Sequence, residues 1–308
     1  MKQLVILSGK GGTGKTSVTA AFAHLASQGP LADRILLADA DVDAANLELV
    51  LQPRRLDTQP FRGGQVAVIN EDTCVHCGDC ESVCRFDAII ETDGRWTIDP
   101  IACDGCAACV YQCPTESIAM QEQTVGECAR SDSRYGPLHH AHLYPGQENS
   151  GKLVTQVRQR ARQHALDEQR ELVIVDGPPG IGCPVIAAVS GADLALLVTE
   201  PTVSGIHDLR RALQTVQHFG VPALVCINKA DVYPDGAREI EAGCAAQGIA
   251  TVGRIPFDLT VASAMVAGEA VTLYRPDAPA SIALSELWER VLPFLLEAPA
   301  RPHDQMRD

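Results

Sequence analysis

Eight of the twelve cysteines fall in two ladders of one spacing, C-x2-C-x2-C-x3-C: Cys74, Cys77, Cys80 and Cys84, then Cys103, Cys106, Cys109 and Cys113, with Pro114 directly after. Thiolates are soft donors, and turns with two intervening residues let three successive sulfurs converge on one metal centre. The chemistry this suits is iron–sulfur cluster ligation; paired zinc sites and a disulfide framework are the other uses of repeated C-x2-C spacing. Cys74 to Cys103 is a step of 29 residues, which makes the region an internal repeat.

A second constellation is built for phosphate. Apolar residues 3–7 run into Gly9-Lys10-Gly11-Gly12-Thr13-Gly14-Lys15-Thr16, and an alanine-rich segment follows to about Ser27. This is G-x4-G-K-[ST] in the strand–loop–helix setting it requires. In such a loop the glycines let backbone N–H groups turn onto a phosphate, and the helix N-terminus adds partial positive charge. The lysine, here Lys15, reaches the β and γ phosphates, and Thr16 offers a hydroxyl to magnesium. Gly11, Gly12, Thr13, Gly14, Lys15, Thr16 and Ser17 are therefore candidate nucleotide ligands.

The elements that position these groups are aliphatic strands ending in acids. Residues 35–38 lead into Asp39 and Asp41, and residues 172–175 lead into Asp176, a candidate magnesium ligand, and then Gly177-Pro178-Pro179-Gly180. Further strands are expected at 194–198 and 223–227, each with a helix-like segment after it. Alternating strand and helix predicts an α/β fold with a doubly wound, mostly parallel sheet. Asn228-Lys229-Ala230-Asp231 ends the last of these strands as a base-reading corner and also fits the N-K-x-D pattern, in which the aspartate pairs with guanine.

The early lysine in K-G-G-T-G-K-T, followed in order by these acids, resembles the deviant Walker A ATPases of the MinD, ParA, Mrp and nitrogenase iron protein group. The resemblance spans nearly the whole chain. It implies a homodimer with ATP at the interface, in which Lys10 reaches the partner's nucleotide. Thr16, Asp39 and Asp176 then form the magnesium shell, Asp41 orients the attacking water, and Asn46 lies near the partner or the nucleotide. It also implies that Asn228 reads adenine and that Pro256 and Asp258, in Ile255-Pro256-Phe257-Asp258, sit over the base, so ATP is expected in preference to GTP. Catalysis would rest on Lys10, Lys15 and Asp41, whereas Asp43 reads as a plain exposed acid.

The ladders resemble a bacterial-type two-cluster 4Fe-4S ferredoxin, in which the fourth cysteine of each run crosses to the other cluster. On that pattern Cys74, Cys77, Cys80 and Cys113 hold one cluster, and Cys84, Cys103, Cys106 and Cys109 the other. Arg85 stands where the first run commonly has proline.

Composition shifts after Arg62-Gly63-Gly64 and shifts back near Gln123. The expected division is therefore an ATPase part at 1–62, an α+β ferredoxin-like insertion at 63–122, an ATPase continuation at 123–300 and a tail at 301–308. Short strands are expected at 66–70 and 96–99, with a helix-forming segment after each ladder. With 308 residues, 46% of them hydrophobic and 4% aromatic, the chain suits a large aliphatic core. No signal peptide or apolar run of ~18 residues is apparent, so a cytoplasmic, soluble protein is expected. A net charge of −14 disfavours nucleic acid and stable membrane association and favours a protein redox or metallocluster partner.

Three smaller readings complete the pass. His139, His140 and His142 lie in a segment whose proline and glycine suggest a packed loop, with no neighbouring acid or cysteine pattern to complete a metal site. Cys183 reads as a small buried thiol, although its offset from Asp176 matches a ligand of the cluster that the nitrogenase iron protein shares between subunits, with Cys128 as the available second ligand. Residues 287–297 read as a helix packed on the sheet. The expected function is an ATPase coupling nucleotide-dependent dimerisation to electron transfer; the alternatives are an Mrp-type cluster assembly factor and a MinD/ParA-like positioning switch.

Overall fold

The protein is described as a computed structural model over residues 1–297; the tail expected at 301–308 lies outside the described residues. The strands are β1 (Lys2–Ser8), β2 (Ile35–Asp39), β3 (Arg54–Ile69), β4 (Ile89–Thr92), β5 (Arg95–Ile98), β6 (Ile118–Ser133), β7 (Gly136–Leu143), β8 (Leu172–Pro179), β9 (Leu194–Thr199), β10 (Ala223–Asn228) and β11 (Ala250–Ile255). The helices are α1 (Lys15–Gln28), α2 (Leu47–Leu51), α3 (Asp79–Ser82), α4 (Ala108–Gln112), α5 (Ser150–Asp167), α6 (Cys183–Val189), α7 (Val203–His218), α8 (Pro234–Ala245), α9 (Leu259–Ala267), α10 (Val271–Tyr274) and α11 (Pro279–Glu297). The chain divides into two compact units, one of Met1–Thr58, Cys128–His142 and the residues from Ser150 on, the other of Gln59–Glu127 and Leu143–Asn149. The second unit reaches beyond the 63–122 segment because β3 and β6 carry their pairing past the shift in composition, and because Tyr144 donates its N–H to the Val125 carbonyl at 2.9 Å.

In the first unit the central strands are parallel: β1 lies between β8 and β9, with β10 and β11 beyond β9 and β2 and β7 beyond β8. Strands buried on both faces read as unbroken aliphatic runs, and β1 and β2 are such runs. Strand order reverses at β1, so its carboxyl end is the topological switch point where open α/β sheets bind ligands. The core on one face packs Leu4, Ile6, Leu37 and Ile174 against α1 and α11, with Phe22 and Trp288 at 4.9 Å between ring centroids. Helix α11 buries Leu284, Leu287, Trp288, Val291 and Leu295, as expected for a helix packed on the sheet.

Three local expectations are corrected. Residues 136–143 form a strand and not a loop: β7 pairs with β2 in parallel, Leu37 opposite Leu138 and Asp39 opposite His140. Pro137 sits just ahead of Leu138, the first residue of β7 that pairs with β2. The helices of the second unit lie inside the ladders, α3 carrying Cys80 and α4 carrying Cys109, instead of following them. The expected strand at 66–70 is the end of the much longer β3.

The second unit repeats its backbone as well as its cysteines. Left-handed residues recur at His76 and Gly105, at Gly78 and Ala107, and at Asp87 and Glu116, each pair at the step that separates Cys74 from Cys103. Its core of Ala67, Cys80, Ile89, Trp96, Cys109 and Ile118 includes one buried cysteine from each ladder. The β4–β5 hairpin pairs Ile89 with Ile98 through a turn at Asp93 and Gly94, both at positive φ.

Phe22 is fully buried, so Phe22→Ala is expected to destabilise the first unit by about 3–5 kcal/mol. The shift of the denaturation midpoint followed by circular dichroism measures this, and a loss below about 1 kcal/mol would contradict the packing described.

Candidate nucleotide site and the cysteine ladders

The loop from Gly9 to Gly14 joins β1 to α1 at the switch point. Gly14 takes φ 96° against the side chain of Asn228, where an added Cβ would stand 2.4 Å from Nδ2, so a side chain there meets both strain and collision. At Gly11 and Gly12 an added Cβ would touch nothing, so this backbone borders open space. Thr13 is 1% exposed, and its hydroxyl is buried with no hydrogen-bond partner among the described residues. A bare glycine backbone, an unmatched hydroxyl and a helix N-terminus fit a bound phosphate chain.

Behind the loop, β2 and β8 bring Asp39 and Asp176 level with each other. They are 0% and 1% exposed. Thr16 Oγ1 donates to Asp176 Oδ2 at 2.7 Å, and Thr19 Oγ1 donates to Oδ1 at 3.0 Å. Asp39 accepts the N–H groups of Asp41 at 3.1 Å and Leu47 at 3.0 Å. Burial pushes the Asp39 carboxyl well above the ordinary carboxylate range, and the charge of Asp176 pushes it further. Asp176 is also raised, chiefly by burial, with Thr16 and Lys15 opposing. Lys15 Nζ is 5% exposed and lies 4.0 Å from Asp41 Oδ2. Burial raises Asp41 to about 6 against the opposing charge of Lys15, with Asp176 and Asp43 adding to the rise. The Thr16 hydroxyl with the Asp39 and Asp176 carboxyls makes an all-oxygen donor set of the kind magnesium takes.

The other candidates are distributed differently. Lys10 Nζ pairs with Glu200 Oε2 at 3.2 Å, and Glu200 also takes Lys229 Nζ at 2.5 Å. Asn228 donates Nδ2–H to the Thr13 carbonyl at 2.8 Å and accepts the Lys229 N–H at 2.9 Å, which fastens the phosphate loop to the end of β10. Asp231 accepts the Phe257 N–H at 2.6 Å, which orders the loop before α9. Asp258 caps α9 through Thr260 N–H at 2.8 Å and accepts Ala280 N–H at 3.3 Å, so its carboxylate has a structural use without any nucleotide. Pro256 lies in the same loop, partly buried between Ile255 and the exposed Phe257. Ser17 Oγ contacts Met265 Sδ at 3.4 Å, and Asn46 precedes α2 with its side-chain N–H on the Ala44 carbonyl at 2.7 Å.

Thr19 and Glu200 were not legible beforehand. Thr19 lies three residues beyond Thr16, on the same side of α1, and that i, i+3 spacing is the available signal. Glu200 has none, because it meets both lysines only through folding.

In the second unit Cys74, Cys77, Cys80 and Cys113 line one cavity with Ile69, Trp96 and Ile118. Three sulfurs thus come from the first ladder and one from the second. Burial raises the Cys80 thiol, and Cys77 and Cys74 add to it; Cys109 is raised likewise by burial and then by Cys103 and Cys106. Partial burial also acts on Cys113, but Thr115 and Ser117 outweigh it and hold this thiol below its usual value; Ser117 N–H lies 3.3 Å from the sulfur. A shared cation is what such crowded thiolates lack, and four convergent soft donors fit an iron–sulfur centre. Cys183, expected to be buried, is exposed at the start of α6, because the end of the helix faces solvent; Cys128 is 3% exposed.

No helix among the described residues is long and apolar enough to cross a membrane. A family model described as the CobQ/CobB/MinD/ParA nucleotide binding domain matches residues 4–271. An uncharacterised protein of Methanocaldococcus jannaschii is 32% identical over 297 residues, covering 95% of this chain and 97% of its own. A 66-residue stretch is 39% identical to the indolepyruvate oxidoreductase subunit IorA of Methanothermobacter marburgensis, 21% of this chain and 10% of that one. The septum site-determining protein MinD of Pyrococcus horikoshii, solved with Mg-ADP, superposes with TM-score 0.56 at 18% identity, over 94% of this chain and 95% of its own. With its doubly wound sheet and its phosphate loop at the switch point, the chain belongs to the CobQ/CobB/MinD/ParA family of nucleotide-binding domains.

Proposed function

We propose that this protein binds and hydrolyses ATP as a cytoplasmic homodimer, and that it couples the nucleotide cycle to electron transfer through two 4Fe-4S clusters. The observation that carries the redox half is the convergence of Cys113 with Cys74, Cys77 and Cys80 on one cavity, one half of the exchange of fourth cysteines that a two-cluster ferredoxin uses. Cys84, Cys103, Cys106 and Cys109 hold the second cluster in this reading. The clusters would supply one-electron carriers at low potential. The local likeness to an oxidoreductase subunit supports the same reading.

In the ATPase half, Gly11 to Gly14 cradle the phosphates with their backbone N–H groups, and Lys15 neutralises them from beneath. Thr16, Asp39 and Asp176 would hold magnesium, which when bound offsets the charge developing on the transferred phosphoryl group. Asp41 orients the attacking water and takes up proton density from it. Lys10, held by Glu200 within one chain, is the group that would exchange this carboxylate for the partner's nucleotide on dimerisation. The resemblance of Asn228 and of the Ile255–Asp258 loop to the adenine-reading positions of the MinD and Mrp group supports ATP over GTP. An Mrp-type cargo role is the alternative; it is less supported, since Cys226 and Cys244 are buried and leave Cys183 as the exposed thiol after Asp176.

Lys15→Ala is expected to lower ATP turnover at least about a hundredfold while leaving iron–sulfur absorbance intact, because the lysine lies outside the cysteine unit. Turnover by the variant within a few-fold of the parent would sink the ATPase assignment. After anaerobic reconstitution the chain should carry about eight irons, and Cys113→Ser should lose up to half of them. Iron assay with electron paramagnetic resonance reads this out; zinc in place of iron in native preparations would overturn the redox half.

A further inference from the structure

We propose that Glu48, His140 and His142 form a binding site for a divalent transition cation, separate from the nucleotide site and from the cysteines. The histidines alternate along β7, so both project from one face of the strand. Glu48, the second residue of α2, presents one carboxylate oxygen to each: Oε2 lies 3.1 Å from His140 Nδ1, and Oε1 lies 3.1 Å from His142 Nε2. One ligand atom from each of the three residues falls within 4.8 Å of the others. Donors about 2.0–2.1 Å from a tetrahedral zinc ion stand roughly 3.3 Å apart, so the three side chains need to close in by at most about 1.5 Å to share an ion.

The surroundings also suit a metal ligand. His140 is 1% exposed, and its second ring nitrogen, Nε2, lies 2.9 Å from Ser131 Oγ. Such a contact fixes the ring and leaves Nδ1 directed at the carboxylate, the arrangement by which outer groups orient a metal-bound imidazole. Two imidazoles and one carboxylate, with a position left for water, match zinc or ferrous iron and do not match calcium or magnesium. Arg55, whose guanidinium is 3.5 Å from Glu48 Oε2, shares this carboxylate and, at 45% exposure, has solvent to move into when a cation arrives. The ion would tie α2 to β7. Leu47, the residue before Glu48, gives its N–H to Asp39, so the tie would hold one of the backbone groups that position the nucleotide-site carboxylate.

The test uses the full chain loaded with its iron–sulfur clusters, with zinc as the probe. Equilibrium dialysis should find about one equivalent of zinc per chain beyond the iron. Glu48→Gln and His142→Ala should abolish it, and Ser131→Ala should weaken it about 10–100-fold, with iron content unchanged throughout. Zinc retained equally by parent and ligand variants would place it on the cysteines and overturn the proposal. Crystals of the parent chain soaked in zinc give an answer independent of any variant. An anomalous peak among the three side chains supports the site, and no peak there at full zinc occupancy elsewhere refutes it.

Discussion

Two carboxylates with almost no access to water, Asp39 and Asp176, stand side by side at the ends of neighbouring parallel strands, and much of the first unit is arranged around holding them there. Burying two acids together is costly unless each is supplied with donors. The donors come from the phosphate-loop helix through Thr16 and Thr19, and from the segment after β2 through the N–H groups of Asp41 and Leu47. Lys15 adds a nearly buried positive charge. The pairing of β2 with β8, Asp39 opposite Asp176, fixes this placement, because a register change in either strand would separate the acids.

The second unit solves a similar problem with sulfur. Each ladder places three thiols close together, and crowding of thiolates is unfavourable without a cation. Repetition of the same left-handed backbone positions in both halves means that one local solution for wrapping a ladder is used twice. Gly105 shows why the chemistry at these positions is constrained: an added Cβ would come within 2.3 Å of the Gln65 carbonyl oxygen. Its counterpart His76 takes a similar φ without glycine, so the shared requirement is the conformation, and the close approach belongs to the second ladder alone.

Much of the candidate chemistry was legible because it is local. The phosphate loop, the acids at the strand ends and the two ladders are written in contiguous residues whose spacing is meaningful before folding. Expectations failed where contacts far apart in sequence decide the outcome. Pro137 and Gly136 signalled a loop, yet the edge of β2 offered a partner about a hundred residues away and made a strand. Cys183 was expected inside, and the end of α6 turns it outward.

The residues by themselves determined that this chain carries a nucleotide-binding loop in a strand–loop–helix frame, a set of acids at strand ends and two cysteine runs of equal spacing. Only the tertiary structure decided which of these meet. It set Asp39 level with Asp176, brought Cys113 to the cavity of the first ladder, turned Asn228 onto the phosphate loop and placed Glu48 between two histidines. The reason is physical: spacing specifies what a few neighbouring residues can reach, whereas sheet register and the packing of distant elements specify what they face.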